Sequence, residues 1–179
     1  MTTSSPLGRL AGLLEASGAK PDLTANRGLA PSTVYDLDYR VFIVAIAFQT
    51  HAAPDKYSIR PRIQSRRLKL LQFVAIRPWL VPVIREWSLS RRDAQRSLDS
   101  EEGLRRGFIS DTLHDDVMDF LVAAGALRRE ESFVMLGTNA SIITELYSEA
   151  LARSLFESEL GALREMQGIV ITNDMLEGW

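Results

Sequence analysis

The chain has 179 residues, 46% of them hydrophobic and 25% charged, a balance typical of globular rather than disordered or fibrous proteins. It contains no cysteine, which excludes disulfide staples and thiolate metal sites and leads us to expect a cytoplasmic protein. A net charge of −2 hides a division: Arg60 to Arg106 holds twelve basic residues against five acids, and Gly107 to the end holds four against thirteen. Such asymmetry points to a polyanion, a charged protein partner or packing between the two parts.

Residues 1–31 are rich in Ser, Thr, Gly, Ala and Pro and are expected to form a flexible arm before a single domain over 32–179. Met1 to Ser5 offers no basic region followed by an apolar core, so no secretory signal is expected. The first strong helix is expected over 32–50, capped by Ser32 or Thr33. Its body, Tyr39 to Phe48, is apolar nearly all round apart from Arg40, as in a helix buried in a core or a dimer interface. Its apolar run is too short to span a bilayer, and no membrane contact is expected.

His51 to Pro61 reads as a connection, and Pro61 to Ile76 as a helix on which Ile63, Leu70, Phe73 and Val74 share a face. Arg62, Arg66, Arg67 and Lys69 gather at its N-terminal half, where positive charge opposes the helix dipole. A polyanion or the acidic part of the chain would account for them, as would a solvated face. In Arg77 to Trp87, Pro78 suits a first turn and Pro82 would bend or end a helix. Trp79 and Trp87 there are read as core or interface residues. Ser88 to Gly107 carries five arginines and few apolar residues. Arg91, Arg92, Arg105 and Arg106 are natural phosphate contacts because the guanidinium offers a forked donor set.

The stretch from Asp111 to Leu136 has the most informative pattern. Leu113, Val117, Phe120, Leu121 and Ala124 recur at helical spacing, with Asp111 as the expected cap and Gly125 as the stop. Ala126 to Arg129 and Ser132 to Leu136 then flank the polar turn Glu130-Glu131, which reads as a β-hairpin. Helix, glycine, basic pair and hairpin resemble the third helix and wing of a winged helix-turn-helix domain, although other small α+β folds share the order. The fold class expected is mainly α with a small β-hairpin, the winged element over about 88–137. One long helix follows over about 139–166, with Ile142, Ile143, Leu146, Tyr147, Leu155 and Phe156 on its apolar side. Gly168 to Ile171 reads as a short β-like run.

Catalytic signatures are missing from the sequence. No phosphate-binding Gly-rich loop, HExxH or GxSxG occurs. His51 and His114 have no motif around them, and Asp115 and Asp116 diverge from His114 on a helix, so no metal site is expected. We therefore expect no enzymatic activity and no cofactor.

The order of parts resembles the middle component of ABC-three-component systems, which include Lamassu-type antiphage defence. It is also similar in plan to the winged-helix subunits of bacterial SMC complexes. The segments that carry the resemblance are DLDYRVFIVAIAF, the basic helix, LRRGFISDTLHDDVMDFLVAAGALRREESFVMLG and TNASIITELYSEALARSLFESEL. It implies a non-enzymatic accessory subunit that binds an SMC-like or ABC ATPase and aids its engagement of DNA. The candidate interface residues are Phe42, Ile46, Trp79, Trp87, Tyr147 and Phe156, which would also serve a homodimer. The candidate contacts to double-stranded DNA are Arg62, Arg66, Arg67, Arg91, Arg92, Arg105, Arg106, Arg128 and Arg129. The alternative is a stand-alone winged-helix transcriptional regulator, although Asp115, Asp116 and Asp119 would repel phosphates from its third helix.

Overall fold

The computed structural model describes residues 37–89, 98–152, 154, 156–172 and 176. The expected arm over 1–31, the caps Ser32 and Thr33, and Arg91 and Arg92 lie outside them. The fold is mainly helical, with one small antiparallel sheet.

Helix α1 (Leu37–His51) is the centre of the molecule. Every residue from Arg40 to Phe48 is buried, because the helix is enclosed by α2 (Ser65–Ala75), α5 (Leu113–Ala123), α6 (Ser141–Ala152) and α7 (Glu157–Gln167). An apolar sequence on all sides of one helix requires this many neighbours. Phe42 and Ile46 therefore lie within the chain's own core and offer no surface to a partner.

The sheet runs in the order β1-β2-β4-β3, formed by Ala53–Asp55, Ser58–Gln64, Phe133–Leu136 and Leu127–Glu130. The connection expected over 51–61 is thus a β-hairpin, and the helix expected from Pro61 starts only at Ser65. Pairing with β4, and at Arg62 with β1 as well, takes Arg62, Ile63 and Gln64 away from α2. Pairing with β4 begins at Arg62, so the missing N–H of Pro61 costs no bond to that strand. The hairpin of β3 and β4 forms where the sequence places it, with its turn at Glu131, whose φ is 53°.

Pro78–Leu80 forms a single 3-10 turn, and α3 (Val81–Leu89) follows with Pro82 in its first turn, where a missing N–H is harmless. Helix α4 (Leu98–Ile109) docks through Phe108, which packs edge-on against Phe73 with ring centroids 5.9 Å apart. Gly125 stops α5 as expected, at φ 69°. Gly137 faces it so closely that a Cβ there would stand 2.2 Å from the Gly125 carbonyl oxygen. Backbone bonds from Gly137 N–H to Ala126 and from Asn139 N–H to Gly125 then close the base of the hairpin.

Three further expectations change. Asp111 does not cap α5; Thr112 holds the cap position without a side-chain bond, and Asp111 pairs with Arg40. The long helix over 139–166 is two, α6 and α7, separated by Ser154 and Phe156 at φ 51° and 61°. A single helix of that length would run about 40 Å, past the end of the core. The break instead folds Phe156 back onto Tyr39 and Phe42, at centroid distances of 5.6 and 5.5 Å. Finally, Gly168 to Ile171 forms no strand, and Ile169 and Ile171 are buried against the helices.

Candidate functional site

Two regions hold the unusual chemistry: a polar cluster inside the core and a set of exposed groups on the surface.

Arg40 is 1% exposed, and its Nη1 donates to both carboxylate oxygens of Asp111, at 3.1 and 2.8 Å. Arg77 Nη1 stands 3.9 Å from the same carboxylate. Desolvating two charges is repaid only by close pairing of this kind. His114 is buried beside them and hydrogen-bonds Gln72. The contact joins His114 Nδ1 to the side-chain amide of Gln72. Burial, aided by the positive charges of Lys69, Arg129 and Arg40, pushes His114 down to about 3. His51 donates from Nε2 to the Leu163 carbonyl at 2.9 Å, and burial lowers it to about 4. Each histidine thus joins two helices. Among the described residues no group of three or more His, Asp or Glu is placed to hold a metal ion.

The arginines divide. Arg66 donates to the Leu176 carbonyl at 3.0 Å, and Arg129 reaches Asp119 at 2.9 Å. Arg67 is half-buried, desolvation lowers its pKa, and its Nε is buried without a hydrogen-bond partner. Arg105 and Arg106 are exposed at the end of α4. Arg62 and Arg128 come together on the outer face of the sheet, where both stand opposite Met135 in register. The charge division is partly internal packing, through Lys69 to Asp115 at 3.5 Å and Arg85 to Glu165 at 3.1 Å.

Of the six interface candidates only Trp79 presents a wide surface, at 69% exposed. Trp87, Tyr147 and Phe156 are half-buried against the core. Pro82, Glu86 and Leu89 on α3 follow Trp79 of the 3-10 turn at steps of three, four and three, and Leu89 is 76% exposed. Pro82, Arg85, Glu86 and Leu89 line a shallow, open depression there. Helix α5, which precedes the β3–β4 hairpin, shows solvent Asp115, Asp116 and Asp119.

No protein family, curated protein or solved structure was found to match the chain.

Sequence reasoning missed the hairpin of β1 and β2, where Tyr57 is 76% and Ile59 is 93% exposed. The alternation of Ser58, Arg60 and Arg62 with Ile59, Pro61 and Ile63 was the signal available for it. No helix among the described residues is long and apolar enough to cross a membrane.

Proposed function

We propose that the chain is a winged-helix accessory subunit of an SMC-like or ABC ATPase complex, without an active site of its own, and that it helps the ATPase engage DNA. Antiphage defence is the setting in which such a subunit would serve. The winged-helix part of the reading is supported by the order of α1, β2, α2, α5, β3 and β4 and by the pairing of β2 with β4. On this reading α3 and α4 are an insertion between the second and third helices.

The observation that carries the proposal is the outer face of that insertion. Trp79 and Leu89 hold large apolar surface in water on either side of Pro82. Trp79 stands in the 3-10 turn and Leu89 at the end of α3, and large apolar side chains left in water are the kind of surface that a protein contact covers. The acidic face of α5 favours the subunit over the stand-alone regulator, because phosphates are repelled where a recognition helix would meet the groove.

The test is expression of the tagged full chain with its genomic neighbours, followed by recovery from native cells. Co-purification of a coiled-coil ATPase supports the proposal. A monomer that carries no ATPase through purification contradicts it.

A further inference from the structure

The hairpin of β1 and β2 projects from the core with nearly every side chain in solvent. Ala53, Pro54, Lys56, Tyr57, Ile59, Arg60 and Pro61 are exposed. Between Ala53 and Gln64 the chain has three cations, Lys56, Arg60 and Arg62, and one acid, Asp55. Strand register extends this basic ribbon sideways. Arg62, Met135 and Arg128 lie side by side across three strands, so the outer face of the sheet continues the positive surface. Arg128 is held there by Glu130 at 3.0 Å and by the Met135 sulfur at 3.6 Å.

The aromatic residues of this face hold cations. Lys56 Nζ lies 4.7 Å from the centre of the Tyr57 ring. The Arg62 guanidinium lies 4.1 Å over Phe133 and 6.0 Å from Tyr57. Stacking of this kind fixes a long side chain and lowers the ordering cost of a later contact. It also decides between ligands. A single-stranded nucleic acid needs a succession of open ring faces on which bases can stack, and here Arg62 covers Phe133, which leaves Tyr57 as the open ring of this face. A duplex needs ordered cations along a narrow projection, and a two-stranded ribbon fits a groove about 12 Å wide.

From these observations we infer that the β1–β2 hairpin, with Lys56, Arg60, Arg62 and the neighbouring Arg128, is a contact site for the phosphate backbone of double-stranded DNA. Lys56 and Arg60 meet phosphates from the tip, Arg62 and Arg128 meet them from the sheet, and Ile59 lies against the groove wall. Binding is independent of base sequence, because every polar contact goes to phosphate. The site is built on the first hairpin and takes in Arg128 of the neighbouring β3, so its residues belong to other elements than the acidic α5 and the apolar α3. It belongs to the free chain, so it stands or falls without any ATPase.

The test is fluorescence anisotropy of the purified full chain with a labelled duplex of about 30 base pairs, at several salt concentrations from about 50 mM upward. The Lys56→Gln/Arg60→Gln variant alters two exposed tip residues and is checked for an unchanged melting temperature. It is expected to bind about tenfold more weakly, with a salt slope shallower by about two, one for each lost phosphate contact. Arg164→Gln, an exposed residue on α7, is the comparison and is expected to bind much as the parent does. Absence of duplex binding at the lowest salt would overturn the inference. So would tip-variant binding equal to the parent's, or tighter binding to a single strand of the same sequence. Loss of ATPase capture by the tip variant, with no duplex binding by the parent, would assign the hairpin to a protein partner instead.

Discussion

Arg40 and Asp111 hold opposite charges out of water, and each depends on the other. Removing one partner leaves a buried charge uncompensated, which costs about 3–5 kcal/mol. Arg40→Met is therefore expected to destabilise severely in urea unfolding, while Arg40→Met/Asp111→Leu loses less than the single variant. Equal losses would contradict this. The histidines make a second prediction. The unfolded chain protonates each ring near pH 6.5, but the folded chain does so only near about 4 at His51 and about 3 at His114. Between these values the unfolded state binds more protons, so stability falls as pH falls below 6.5. The limit is roughly 1.4 kcal/mol per pH unit for each ring, less at His51, where solvent screens the charge. His114→Gln should flatten that decline in urea midpoints measured across the window, and an unaltered slope would contradict the assignment.

At the scale of elements, the base of the β3–β4 hairpin is the tightest joint. Gly137→Ala places a methyl group against the Gly125 carbonyl, and the neighbouring atoms are backbone and have little room to move. A loss of roughly 1–3 kcal/mol is expected, read as a lower melting temperature. This joint was legible in the sequence because Gly125, the basic pair and the aliphatic run each signal their conformation locally. The buried α1 was legible for the same reason, through its continuous apolar run. The first hairpin was not, since Ile63 fits a helix face with Leu70 as readily as it fits a strand, and only pairing with β4 decides. Nor was the break at Ser154 and Phe156, because apolar spacing continues across it and the left-handed turns serve packing on Tyr39 and Phe42. Arg40 was visible as the lone charge in an apolar helix, but its partner Asp111 lies 71 residues away.

For the whole molecule, the charge division has two destinations. Part of it is paired at the surface of the chain itself, by Lys69 with Asp115 and Arg85 with Glu165. The remainder is displayed as a basic ribbon at one site and acidic α5 at another, while α3 shows apolar surface. On the proposed function, these three faces are what bridges the chain to other molecules. Residues of the core and of the docking face should then separate experimentally. Ile46→Ala is expected to cost about 2–5 kcal/mol of stability, as a large-to-small change in a packed core does. Trp79→Ala/Leu89→Asp should leave the melting temperature near that of the parent, because both side chains are already in water.

The most direct measurement is recovery of the tagged parent and the Trp79→Ala/Leu89→Asp variant from native cells side by side, with quantitation of the ATPase that accompanies each. The account predicts an SMC-like or ABC ATPase with the parent and its loss from a variant that remains folded. Equal ATPase recovery with both would show that α3 is not the docking face, and its absence from both would contradict the accessory-subunit function itself.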